Sequence, residues 1–206
     1  MTHLLLLLSS TRGAASVSTK VASALSLRLA EELGATLKTH DLALEPPRHI
    51  DPAYTFGRSL APELRTNAQA EAVDHAEMLV AELLAADVLV IAASMVNFAP
   101  SSSLKAWIDH VVWPGRTMTP TPQGPKGLIK GKKVYLVTAS GGVYSSGPAV
   151  AADFLAPYLK HILGCIGLSD VQTIRIEAQS FGPEAAEKSV ADALNQVEVL
   201  ANAVRV

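Results

Sequence analysis

The apolar positions of this chain change period in a regular way. Leu4 to Leu8 is an unbroken apolar run, as expected of a strand covered on both faces. Leucine is a weak strand former, so the length of the run and the serines after it carry that assignment. Val17, Val21, Ala24, Leu25, Leu29 and Leu33 then recur at helical spacing, and Gly34 ends the helix. Thr36–Asp41 is a weaker second strand. Residues Glu45 to Asn67 hold four of the twelve prolines and show little periodicity, which predicts a long loop. Ala68–Ala86 is a helix with Val73, Ala76, Leu79, Val80 and Leu83 on one face. Val88–Ala92 is the third strand, and Ser101–Val112 a helix stopped by Trp113-Pro-Gly115. A second irregular stretch runs to Gly131, and Lys133–Thr138 is the fourth strand. Ala151–Leu163, Val171–Ile176 and Pro183–Val204 complete a helix, a strand and a helix.

Strands that alternate with helices imply a parallel sheet joined by right-handed crossovers. The expected architecture is a doubly wound α/β fold: a five-stranded parallel sheet in the order 2-1-3-4-5, within a single domain spanning residues 1–206. In such a sheet a ligand sits beyond the carboxyl ends of the strands, where the strand order reverses. That point falls between the first and third strands, and three loops face it.

The first loop, Ser9–Ser18, lies within "SSTRGAASVSTK". Ser16 and Ser18 fall at a helix start, where hydroxyls and free backbone N–H groups favour a phosphate; plain capping would use the same serines. The second, "MVNF", offers Asn97 to a ring edge that pairs an acceptor with a donor, and Met95 and Phe98 to an aromatic plane. The alternative is a turn with two core side chains. The third, "TASGG", carries Gly141-Gly142, where backbone can approach a ligand or simply turn. Together they describe a ligand with a phosphate at one end and a planar heterocycle at the other, the shape of flavin mononucleotide (FMN).

Composition removes other classes. The chain has 206 residues, 49% hydrophobic and 17% charged, which argues against disorder and for apolar surface buried between subunits. A net charge of −2 leaves no footprint for nucleic acid. The opening apolar run is too short for a signal peptide and nothing approaches a membrane span, so the chain reads as cytoplasmic. G-x-x-x-x-G-K-[ST], G-x-G-x-x-G and G-x-S-x-G are all absent, which disfavours a Walker loop, a Rossmann nicotinamide site and a serine-hydrolase elbow. Cys165, the only cysteine, is expected to be an inert buried thiol, so no disulfide and no metal site are expected. His110, beside Asp109, is expected at a surface or interface. Trp107 and Trp113 are expected in the core or an interface, with Trp113 a candidate edge of the pocket. Lys130, Lys132 and Lys133 are expected in a solvated turn.

With these motifs in view, the sequence resembles the FMN-dependent NADH azoreductases, a flavodoxin-like, three-layer family of quinone and azo-dye reductases. The likeness covers nearly the whole chain. It rests on "SSTRGAASVS", on "NF" in "SMVNF" against the family's P-M-Y-N-F, on "GG" in "TASGG" against S-R-G-G, and on "GPKGLIKGKK" and "APYLKHILGCIGL". The resemblance implies phosphate and ribityl contacts from Ser10, Ser16, Val17 and Ser18. It implies ring contacts from Met95, Val96, Asn97 and Phe98, and from Ala139, Ser140, Gly141 and Gly142. It further implies a homodimer and a ping-pong reaction in which NAD(P)H is the electron-donating co-substrate. No catalytic side chain is implied, because the flavin carries the chemistry. Ser94 and Val96 stand where the family has proline and tyrosine, and Ala139-Ser140 where it has serine and arginine. Two rival readings stay open: a flavodoxin-like redox carrier without turnover of its own, and a flavin-free interaction domain on the same fold.

Overall fold

The computed structural model describes residues 1–204. Five parallel strands, β1 (His3–Leu8), β2 (Thr36–Asp41), β3 (Val88–Ser94), β6 (Lys133–Ala139) and β7 (Val171–Ile176), form one sheet in the order β2-β1-β3-β6-β7. This is the expected 2-1-3-4-5 arrangement, and the fold is flavodoxin-like α/β. Between the strands run α1 (Val17–Leu33), α2 (Pro52–Gly57), α3 (Asn67–Ala85), α4 (Ser102–Val111) and α5 (Ala156–Cys165), and α6 (Pro183–Asn202) follows the last strand.

The leucine run works as a strand because helices cover both of its faces. Leu5 and Leu7 join a cluster with Val73, Leu79, Leu83, Leu104 and Trp107. Leu4 and Leu6 point the other way, against Val21, Leu25, Leu29, Ala193 and Val197. All four leucines are at most 2% exposed, and burying each contributes roughly 1.5–3 kcal/mol, which outweighs leucine's indifference to the strand conformation.

Three elements differ from expectation. The 45–67 stretch is not a plain loop: Asp51 Oδ1 accepts the Tyr54 N–H at 2.7 Å, Pro52 opens the first turn, and α2 forms. The stretch before Gly131 holds a hairpin, β4 (Met118–Thr121) against β5 (Gly124–Gly127). The helix expected from Ala151 starts at Ala156, after a 3-10 turn over Pro148–Ala152. Asp153 Oδ1 causes that break, accepting the N–H groups of Leu155 and Ala156 at 3.0 Å each.

Candidate functional site

The carboxyl ends of β1, β3 and β6 open onto a cavity of about 430 Å³, within the range of small-ligand sites. Of the residues expected there, Ser10, Ser16, Val17, Met95, Val96, Ala139, Ser140 and Gly141 line it. Ser18, Asn97, Phe98 and Gly142 adjoin these positions without lining the cavity.

Ser16 is the N-cap of α1, its Oγ 3.4 Å from the Thr19 N–H that it accepts. Val17 and Ser18 open the helix, so their own N–H groups have no intrahelical acceptor and face the N-terminal end. Ser18 is fully buried and acts from behind. Its hydroxyl lies 2.9 Å from Ser16 Oγ and 3.0 Å from Ser94 Oγ, tying the helix start to the end of β3. Ser94, which departs from the resembled pattern, is thereby given a role that proline could not fill.

The second loop turns sharply. Val96 and Ala99 exchange backbone hydrogen bonds of 2.9 and 3.1 Å across Asn97 and Phe98, whose φ angles are 48° and 71°. Both residues are in the left-handed region, where a bulky side chain is rarely found and where strain tends to coincide with function. Asn97 and Phe98 are exposed. The Phe98 ring meets Tyr144 edge-on, with centroids 6.2 Å apart. The third loop is tied to the second by the Met95 N–H, which donates to the Ala139 carbonyl at 2.8 Å. Ser140, at the arginine position of the resembled pattern, donates its hydroxyl to the Gly142 carbonyl at 2.9 Å.

A fourth loop was not anticipated. Gln179 and Ser180, just past β7, also line the cavity. The N–H groups of Ala178, Gln179 and Ser180 donate to the carbonyls of Gly142, Ser140 and Gly141. A Cβ on Gly141 would stand 2.7 Å from Ser180 Oγ, so a side chain there would turn that hydroxyl aside. Gln179 adds a second amide near the crevice. Ser9, Thr11, Arg12, Ala15, Ser94 and Ser101 complete the lining, and Arg12 is its one charged side chain among the described residues.

Helix N–H groups, serine hydroxyls and a guanidinium suit a dianion, and no carboxylate lines the cavity to repel it. The glycine loop and the Met95-Val96 segment suit a flat ring. The residues fit FMN.

Four expectations need correction. His110 is not on the surface: it is 1% exposed, and Nε2 donates to the Arg48 carbonyl at 2.8 Å. Its Nδ1 is buried without a partner, and burial holds the ring below its ordinary pKa. Trp113 is in the core, as expected, packed against Tyr54 at 6.1 Å, but it is not an edge of the pocket, being absent from the lining residues. Cys165 is half-buried rather than buried, with Sγ 3.8 Å from His161 Nε2. Lys132 is not idle in solvent, since its Nζ donates to the Leu84 carbonyl at 2.8 Å and to that of Ala86, closing the end of α3. Trp107 is fully buried, as expected. No group of three or more candidate metal ligands occurs among the described residues.

Sheet order, switch-point cavity and phosphate-suited helix start together define a flavodoxin-like protein. The family model described as "Flavodoxin-like fold" matches residues 2–200. The chain is 51% identical over 201 residues to the Rhizobium etli protein named FMN-dependent NADH:quinone oxidoreductase 2, covering 97% of this chain and 98% of that one. It is 47% identical over 204 residues to the Agrobacterium fabrum FMN-dependent NADH:quinone oxidoreductase, covering 98% and 100%. Among solved structures, an azoreductase from Bacillus anthracis superposes with a TM-score of 0.90 at 30% identity, covering 98% and 99%. The chain belongs to the flavodoxin-like family of FMN-dependent NADH:quinone oxidoreductases and is an oxidoreductase enzyme.

Proposed function

We propose that this protein, as one FMN-binding domain over residues 1–206, takes hydride from NAD(P)H and reduces quinones and aromatic azo compounds. The observation that carries this reading is the single cavity wall in which a serine-rich helix start meets a glycine loop at the sheet's switch point. Val17 and Ser18 N–H groups, with the Ser10 and Ser16 hydroxyls, hold the phosphate, and Ser18 braces Ser16 from behind. Met95 and Val96 bound one side of the ring and Ala139 to Gly142 the other, with Asn97 and Phe98 on the turn beside them. Bound there, FMN supplies two-electron chemistry between the nicotinamide donor and the acceptor. The chain's own part is to orient the ring and limit water, so no acid–base side chain is assigned.

The reaction is ping-pong, the oxidised donor leaving before the acceptor enters the same crevice. The protein works as a homodimer in the cytoplasm. No helix among the described residues is long and apolar enough to cross a membrane. The test is the visible spectrum of the purified protein. Flavin bands that bleach on anaerobic NADH or NADPH and return on adding a quinone are expected. Colourless protein that ignores added FMN overturns the reading, and yellow protein that stays oxidised with both donors makes it a carrier.

A further inference from the structure

Arg175 lies near the end of β7, and Glu177 is the first residue beyond it, two positions on. Glu177 Oε1 accepts the backbone N–H groups of Tyr144 at 2.8 Å and Ser145 at 2.9 Å, and Oε2 accepts the Ser145 hydroxyl. Two successive N–H groups converging on one oxygen form a nest that favours an anion. Arg175 Nη1 stands 3.6 Å from Glu177 Oε1 and 2.9 Å from Asp153 Oδ2. Asp153, whose side chain is 3% exposed, opens α5 through its other oxygen. The next residue, Phe154, donates its N–H to the Phe98 carbonyl at 3.1 Å. One chain of contacts therefore runs from Tyr144 through Glu177, Arg175 and Asp153 to the strained turn that carries Phe98.

What this chain holds is a pair of aromatic rings, Tyr144 and Phe98, that stands beside the cavity rather than among its lining residues. A Cβ on Gly142 would lie 3.2 Å from Tyr144 Cε2, so the phenol ring folds back over the glycine loop. Phe98 meets that ring edge-on at an interplanar angle of 80° and stays 50% exposed. An exposed ring of this kind offers a face to a planar ligand. The floor of the cavity at Ser140 and Gly141, with Gly142 behind it, is fixed separately by the N–H groups of residues 178–180. Glu177 thus acts on the ring pair and not on the floor.

We propose that Glu177 is a positioning residue for a planar aromatic electron acceptor, holding the Tyr144–Phe98 pair against which the acceptor rests. The inference rests on the oxidoreductase reading above. A carboxylate serves because it accepts from three donors at once while its charge faces Arg175.

The test compares Glu177→Ala and Glu177→Gln with the native chain. In FMN-loaded protein, Glu177→Ala raises KM for naphthoquinone about tenfold while kcat stays within about twofold. Turnover with ferricyanide, an inorganic acceptor that needs no stacking face, stays within about twofold. Glu177→Gln keeps one carbonyl oxygen for the two N–H groups and restores most of the KM. In FMN-free protein, amide exchange over residues 140–147 accelerates in Glu177→Ala while β3 stays protected. Equal losses with both acceptors, an unchanged KM, or unchanged exchange overturns the proposal. A native chain that holds no flavin overturns the functional reading instead, and the exchange result still reports whether Glu177 holds the loop.

Discussion

Asn97 shapes its turn and is proposed to meet the flavin ring, and two substitutions tell these roles apart. At φ 48° it occupies the first central position of a two-residue turn whose second, Phe98, is at 71°. Positive φ at both positions suits a turn of type I′. Alanine there costs about 1 kcal/mol relative to glycine, whereas asparagine tolerates the region better than most residues. Asn97→Ala should therefore lower stability by about 1 kcal/mol, or roughly 2–4 °C in Tm for a chain of this size. Asn97→Gly should leave Tm unchanged or slightly raised. Flavin binding follows a different order. If the amide pairs with the ring edge, each substitution removes a hydrogen bond of about 1 kcal/mol net. The FMN Kd then rises about fivefold for both. Titrating FMN-free protein with FMN by flavin fluorescence, beside a thermal melt, reads both effects. Native affinity in Asn97→Gly, with weakened binding only in Asn97→Ala, would refute the ring contact and leave asparagine a purely conformational role.

Arg12, the one charged side chain among the lining residues, should favour FMN over riboflavin. Arg12→Ala is expected to weaken FMN by about three- to tenfold at low salt, with the loss shrinking as screening increases, and to leave riboflavin unaffected; equal losses for the two ligands in parallel titrations would contradict a phosphate role. His110 gives a pH dependence. Burial holds its folded pKa below the ordinary 6.5, although the Arg48 carbonyl works the other way. His75 is lowered too, by burial first and then by His110 and its cationic neighbours. The unfolded chain then binds protons that the folded chain refuses, so stability is full above pH 6.5 and falls as pH drops below it. The slope is at most about 1.4 kcal/mol per pH unit per histidine. Glu82, held below its usual value by Lys38 and His40 against its own burial, adds a loss only at more acid pH. Urea midpoints between pH 7.5 and 5.5 should fall in the native chain and fall less in His110→Gln; parallel slopes would remove His110 from the account.

The parallel sheet was legible because covering both faces of a strand leaves an unbroken apolar run, and Leu4–Leu8 and Val88–Ala93 are such runs. The hairpin before Gly131 was hidden by Pro120, Pro122 and Pro125. Proline argues against a strand, yet a two-stranded ribbon is all edge, and a residue without an N–H is tolerated there. The buried His110 is met by partners far along the chain, its Nε2 donating to the Arg48 carbonyl 62 positions away and its ring against Tyr54 and His75, and no helical periodicity can report that. The loop after β7 is a different case, because a signal was present. The expected order already put the fifth strand beside the fourth, so the chain leaving the fifth must pass the glycine loop leaving the fourth. Gly182-Pro183 marks where the next helix begins, which leaves Glu177 to Phe181 as a short tight connection at the crevice. A parallel sheet aligns the exits of neighbouring strands, so the loop that lines a site has its bracing loop next to it in strand order. Gln179, Ser180 and Glu177 follow from that geometry, and searching the strand adjacent to each site loop would have found them.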